Sequence, residues 1–368
     1  MIAGQRSTSG KPLLANDPHL GLSAPAIWYF ARLKAPAAQA PDGSATAALD
    51  VGGATLPGLP FVVLGRTGSV AWGLTNTNPD VQDLYLEQIN PANQQQYRIP
   101  KPGAQSQGKS KSKSKSKGNL KDDAAWADFT IRDEIIRVKG QPDLVLKVRE
   151  SRHGPVLSDV QKSHAELLDT RKYVIALRWS ALDADNQTVL AGLRSNRAQS
   201  ADELMAAFAD YHSPMQNLVV ADVAGQVAFK AVGKIPLRHP NNNIRGIAPS
   251  PGWEERYDWA GWLPYAQTPQ TDHSAIAAKG WWSTANQRIT PPDYPFFFRA
   301  GLGGALPPSA DRAFAGSHVA ARCGFHAETA GRPAVGRHAA AATLPEQDLA
   351  APTVTSTGRS RSTRHGRL

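Results

Sequence analysis

The chain has 368 residues, 41% of them hydrophobic, with nine tryptophans and one cysteine. That is enough apolar material for one large domain or two modest ones, and the lone Cys323 excludes an internal disulfide or a cysteine-based zinc site. No apolar run approaches the roughly 18 residues of a membrane-spanning helix, and the opening Met1-Ile2-Ala3-Gly4-Gln5-Arg6 lacks the apolar stretch of a signal peptide.

The formal net charge is +10, which invites a nucleic-acid or anionic-membrane partner. Its distribution points elsewhere. Lys109, Lys111, Lys113, Lys115 and Lys117 supply five positive charges in a Lys/Ser run. Residues 299–368 hold nine arginines against four acids. The rest of the chain is formally neutral, so the basic character belongs to two appendages. Neither nucleic acid nor membrane is expected as a partner of the folded part. The competing reading, a basic binder of nucleic acid or anionic surfaces through 109–117 and the tail, predicts strongly salt-dependent binding.

In chain order, Pro12-Leu13-Leu14-Ala15-Asn16 is a short apolar run ending in turn residues. Residues 26–33 and 69–75 are aromatic-rich strand candidates, and Tyr173–Trp179 is another. Residues 101–120 are Lys/Ser/Gly/Gln-rich; charges at every second position repel and nothing apolar offsets ordering, so a disordered surface loop is expected. Ser200 can cap a helix, with Glu203 three residues on and Leu204, Ala207 and Phe208 forming its apolar stripe. Leu218–Asp222 and Gln226–Val232 flank Val223-Ala224-Gly225 as a hairpin. Many antiparallel strands with few helices indicate an α+β layered fold. From Arg299 onward no period of 2 or 3.6 persists, and a disordered tail is expected over 299–368 beyond a 1–298 core.

A set of short blocks runs through this core. The first is Ser9-Gly10-Lys11-Pro12-Leu13-Leu14-Ala15-Asn16-Asp17-Pro18-His19-Leu20-Gly21. Leu56-Pro57-Gly58-Leu59-Pro60, Ala71-Trp72-Gly73-Leu74-Thr75-Asn76 and Asp80-Val81-Gln82-Asp83-Leu84-Tyr85 follow. Then come Arg152-His153-Gly154-Pro155, Pro251-Gly252, Trp259-Ala260-Gly261-Trp262 and Ser283-Thr284-Ala285-Asn286-Gln287. In this order and spacing they resemble the β-chain of the penicillin amidase family of N-terminal-nucleophile hydrolases, close to its acyl-homoserine-lactone and cephalosporin acylase branches. The resemblance covers residues 2–298 apart from the Lys/Ser insert.

The resemblance implies a four-layer αββα sandwich and a precursor that cleaves itself, so that the β-chain begins with serine. That serine hydroxyl attacks an amide carbonyl of a small acylated substrate such as a β-lactam or acyl-homoserine lactone. Its own α-amine, which titrates near pH 8, serves as base through a water, and an acyl-enzyme forms. An α-chain of the same precursor is the implied partner, and the periplasm the implied location. By alignment the nucleophile falls four positions before Met1, so a truncated, inactive β-chain is expected, or a non-catalytic pseudogene fragment. Gly301–Pro307 is what the family's Asp-Trp-Ala-Ala-Pro-Tyr-Arg segment becomes when read one base out of register, so a frameshift near Arg299 is expected.

Site residues follow from the same resemblance. Asn286 matches the asparagine whose amide donates to the developing oxyanion. Asn76 matches the position whose backbone N–H completes that hole. His19 sits where a His or Gln orients the amine–water–hydroxyl chain. Leu20, Leu64 and Leu74 match positions lining an apolar acyl pocket, although packing explains them equally. Asp80, Gln82 and Asp83 match a loop holding a structural calcium ion through two carboxylates and a backbone carbonyl. Two further family ligands are missing, and a solvated acidic turn is the alternative.

Overall fold

Alternation along Gln216–Asp222 decides the main sheet. Leu218 and Val220 point to one face, Val219 and Ala221 to the other, and all four are buried. A strand buried on both sides must lie in the middle of a covered sheet. It pairs antiparallel with Val70–Asn76 and with Val227–Val232. The full order is Tyr29–Ala35, Leu49–Thr55, Leu64–Arg66, Val70–Asn76, Gln216–Asp222, Val227–Val232 and Gln270–Thr271. The computed structural model describes residues 1–17, 23–39, 42–43, 45–101, 124–291 and 293–298. The Lys/Ser insert and everything from Arg299 onward, with the disorder expected of them, lie outside the described residues.

Helices cover both faces of this sheet. On one, Ala201, Leu204 and Phe208 pack with Trp72, Leu74, Leu218, Val220 and Val232. On the other, Ile276 packs with Val219, Val227 and Phe229, joined by Ala3 near the start of the chain. The helix expected after Ser200 spans Ala201–Ala207, and Ser200 Oγ accepts from Glu203 N at 3.1 Å. The return bond goes one residue further back than in the usual box: Gln199 N donates to Glu203 Oε2 at 2.8 Å. Asp272 caps His273–Lys279, which ends at Gly280 with φ 84°, where only glycine is unstrained.

A second sheet joins Tyr173–Trp179, Gln82–Asn90, Asn93–Ile99 and Ala125–Asp128, with Ser250–Pro251 added in parallel. Its central strand corrects one expectation: Gln82 and Asp83 lie inside Gln82–Asn90 rather than on a loop. The strand buries Asp83, Tyr85, Glu87 and Ile89 on one face, and two of these are acids. Burying a charge is tolerated only with partners. For Glu87 they come from Ser151 Oγ and His153 Nδ1, each 2.7 Å away. His153 Nε2 then meets Asp258 at 3.0 Å, and Asp258 is held by Arg152. The Arg-His-Gly-Pro block is thus the lid on a buried carboxylate. Gly154 sits at φ 129°, and a Cβ there would lie 2.3 Å from the Leu177 carbonyl oxygen.

The remaining sequence-derived strands are close to their expected places. The 69–75 candidate forms Val70–Asn76, and the hairpin turns at Gly225 with φ 94°. The 26–33 candidate begins later, at Tyr29, and runs to Ala35, its extent set by pairing with Leu49–Thr55. Pro12–Asn16 makes a single bridge, Leu13 to Ile2, rather than a strand. Among the described residues no helix is long and apolar enough to cross a membrane.

Ser200→Ala should cost about 1 kcal/mol, the usual worth of a helix N-cap, read as a lower urea midpoint with unchanged slope. Gly154→Ala should cost more, because both φ and the Leu177 carbonyl oppose a side chain. A Gly154→Ala protein as stable as its parent would show that the lid does not need this backbone shape.

Candidate active site

Asn76 ends the strand Val70–Asn76, opposite Gln216. Facing it is the segment Ser283–Gln287. Asn286 Nδ2 donates to the Asn76 carbonyl at 2.7 Å. One step inward, Thr75 Oγ1 donates to Thr284 Oγ1 at 2.8 Å and accepts from Asn217 Nδ2 at 3.1 Å. Asn217 is fully buried. Two rungs therefore clasp the end of the strand to the facing segment. Asn286 adopts φ 63°, a left-handed conformation that asparagine tolerates better than most residues. The Asn76 side chain turns away from the clasp: its Oδ1 accepts from Asn78 N at 3.0 Å. Any oxyanion role at Asn76 therefore falls to its backbone.

The start of the chain enters the same neighbourhood. Met1 N donates to the Trp282 carbonyl at 2.9 Å, and Trp282 N donates back to the Met1 carbonyl at 2.9 Å. Ile2 is bridged to both Leu13 and Trp281. From Trp282 the segment needs two residues to reach Thr284 and four to reach Asn286. Asn16 completes the wall: its Oδ1 accepts from Leu74 N and lies against Gly73, where a Cβ would meet it at 2.5 Å.

The other sequence-derived positions scatter. His19 and Leu20 lie outside the described residues. Leu74 belongs to the core beneath the Ala201–Ala207 helix, with Trp72 and Leu218. Leu64 is half-buried on its short strand. Two open grooves, of 490 and 460 Å³, lie elsewhere, and neither is lined by Asn76 or Asn286.

Asp80 and Asp83 do come together, around an arginine that sequence reasoning did not single out. Arg238 forks onto the Asp83 carboxylate, and its Nη2 lies 3.4 Å from Asp80 Oδ1. Trp259 Nε1 also donates to Asp83 Oδ2 at 2.8 Å. Gln82 points outward and is exposed. Two carboxylates against one guanidinium leave one negative charge in excess. Burial pushes the Asp80 carboxyl up to about 6; Arg238 opposes the shift and Asp83 reinforces it. The oxygen donors suit a hard divalent cation, but the guanidinium already compensates Asp83, which leaves Asp80 as the ligand in need of charge. Asn217 and Arg238 were the residues missed. Their signals were a polar residue inside an apolar strand and an arginine two residues after Pro236.

The end of the strand Val70–Asn76, clasped by Asn286 and braced through Thr284 and Asn217, is the candidate site of this mixed α+β fold. A profile of the penicillin amidase family matches residues 1–322. The acyl-homoserine lactone acylase QuiP of Pseudomonas fluorescens (strain Pf0-1) is 34% identical over 299 residues, covering 80% of this chain and 30% of that protein. The penicillin acylase 2 proenzyme of Pseudomonas sp. (strain SE83) is 28% identical over 296 residues, covering 80% and 32%. Among solved structures, a thermostable penicillin G acylase from Alcaligenes faecalis aligns with TM-score 0.59 at 24% identity, covering 79% of this chain and 44% of that one. The chain belongs to the penicillin amidase family, and it spans about a third of the length of the curated relatives it matches.

The Asp80 shift sets a pH signature. A carboxyl raised in the folded state gives stability that is present below the unfolded value of 3.8 and lost as pH rises through about 6. Asp80→Asn, which mimics the protonated form, should match the parent at pH 4 and be more stable than it at pH 8 in the presence of a chelator. Parallel melting curves across that range would show that Asp80 is not the strained group.

Proposed function

We propose that this chain is the nucleophile-side portion of an acylase that hydrolyses a linear amide bond in a small acylated substrate, such as an acyl-homoserine lactone or a β-lactam. The observation that carries the reading is the placement of Met1 on Trp282, in the segment that clasps Thr75 and Asn76 through Thr284 and Asn286. A residue just upstream of Met1 would emerge beside those two asparagines. In the proposed mechanism it is a serine, four positions before Met1, with a free α-amine. Its hydroxyl attacks the amide carbonyl, and the amine takes the proton through a water. The carbonyl oxygen becomes an oxyanion, for which the Asn76 backbone N–H and the second hydrogen of the Asn286 amide would serve as donors. The proton returns to the leaving amine, and water then frees the acid from the acyl-enzyme.

The remaining parts of the reading follow from family membership. The complete protein is proposed to be a self-cleaving precursor exported to the periplasm, with an α-chain packed on this one in a four-layer αββα sandwich. His19 is proposed to orient the water, and Leu20 and Leu64 to face an apolar acyl group; Leu74 would support that wall from the core. Asp80 and Asp83 would hold a calcium ion, which would supply the charge that Arg238 leaves uncompensated and stiffen the entry to the Gln82–Asn90 strand.

The test is a precursor that includes the upstream coding sequence, assayed with a chromogenic acyl amide beside the chain that begins at Met1. The longer form should show burst kinetics and the shorter form none. In the longer form, Asn286→Ala should lower kcat by roughly 10²–10³-fold with little change in KM. Asn76→Ala, which keeps the backbone N–H, should change it far less. Equal activity in both forms, or an Asn286→Ala enzyme at full rate, would refute the assignment.

A further inference from the structure

Away from the asparagine clasp, Asp183, Asp185 and His212 bring their ligand atoms within 4.8 Å of one another. Asp183 follows the turn Ser180–Leu182, Asp185 precedes the helix Thr188–Ser195, and His212 comes in from the loop before Ser213. Two segments distant in sequence, residues 183–185 and the loop at His212, thus converge on one point.

The second observation is His212 itself. It is only 2% exposed, and its Nε2 is buried without a hydrogen-bond partner. The nearest charge is Asp185 Oδ1, at 3.5 Å. Nδ1 is engaged on the other side, 3.1 Å from the Asp210 carbonyl and 3.2 Å from Gln187 N. Gln187 N donates to Nδ1 in one tautomer; in the other the Nδ1 proton goes to the Asp210 carbonyl, and Nε2 is then a lone pair facing Asp183 and Asp185. A buried polar atom left this way forfeits its solvation with nothing in return, so its retention needs a reason. A metal ion supplies one.

We propose that His212 Nε2, Asp185 and Asp183 bind one divalent transition-metal ion, zinc being the reference, with water completing the shell. One imidazole and two carboxylates are a nitrogen–oxygen donor set suited to zinc or manganese. Bonds of about 2.0–2.1 Å in a tetrahedral site put neighbouring ligand atoms roughly 3.3 Å apart. The Asp185–His212 pair already stands close to that spacing, and only Asp183 has to close in. The surrounding groups behave as ligand-orienting partners should. The Asp210 carbonyl can accept from Nδ1 in the tautomer that frees Nε2, and Arg178 Nη1 holds Asp183 Oδ1 at 2.7 Å, backed by the Trp259 ring. Arg178 leaves one of the two carboxylate charges uncompensated, which a divalent ion would absorb. Asp183 is closed off at 8% exposure while Asp185 is 76% exposed, so an ion can enter from solvent past Asp185. Once bound, it ties the end of the Tyr173–Trp179 strand to the loop that leads into Gln216–Asp222. The role is structural, and it shares no ligand with Asp80 and Asp83.

The 368-residue chain, prepared without a histidine tag and stripped with chelator, tests this with zinc by calorimetry and cobalt by absorption. One zinc per chain is expected, with cobalt bands indicating nitrogen and oxygen ligands. Asp185→Asn, at an exposed position, should fold as the parent does and bind at least roughly tenfold more weakly. His212→Gln should lose the site, and Asp80→Asn should keep it. Should His212→Gln fail to fold, Asp185→Asn decides alone. The proposal is overturned if the stripped chain takes up no stoichiometric zinc, if Asp185→Asn binds as tightly as the parent, or if Asp80→Asn abolishes binding.

Discussion

The pairing of Val70–Asn76 with Gln216–Asp222 is the constraint on which the rest of this structure depends. Gln216–Asp222 is buried on both faces and Val70–Asn76 buries Val70, Trp72 and Leu74 on one, so the register is pinned: a slip of one residue would turn Trp72 and Val220 out of one core and Val219 out of the other. That register puts Thr75 opposite Asn217 and Asn76 opposite Gln216. The site is therefore positioned by apolar packing several residues away, and its polar atoms inherit a geometry they do not themselves create.

The facing half of the site depends on the second core. Ile276, Phe229 and Trp282 pack where the first residues of the chain come in, with Met1 and Leu14 against them. Trp282 thus does two jobs. Its ring belongs to a core, tilted against Phe229 with centroids 5.0 Å apart, and its backbone clasps Met1. The segment it begins then delivers Thr284 and Asn286 to the strand end. Site and core are continuous, and a substitution at Trp282 would disturb both.

Buried charge is handled in the same manner in two places. Glu87 is bound by His153, which links through Asp258 to Arg152 in series. Asp83 is neutralised by Arg238 directly. Both acids come from one strand face, and their partners come from remote segments: the turn at Arg152–His153, and Arg238 at the end of the strand Pro236–Arg238. Such pairs contribute little net stability against an apolar replacement, but removing one partner leaves a stranded charge. They therefore specify which loops dock on that strand more than they stabilise it. Asp80, at the mouth of the second cluster, is the carboxylate whose desolvation is least compensated.

Sequence by itself determined the elements with a strong period or a local chemical signal. Ser200 with Glu203 announced a helix start, and the apolar runs of Leu218–Asp222 and Gln226–Val232 announced a hairpin turning at Gly225. The ordered blocks from Ser9 to Gln287 carried the family, and with it Asn76 and Asn286. Tertiary structure decided what depends on convergence. No local pattern says that Asn286 reaches the Asn76 carbonyl, that Asn217 braces Thr75, or that Arg238 forks onto Asp83. Nor does one place Leu74 in the core rather than on a pocket wall. Periodicity reports which face of an element is apolar, because that is fixed by backbone geometry over a few residues. Which polar groups meet across 142 to 210 positions is fixed only when the sheets close and each buried donor must find an acceptor.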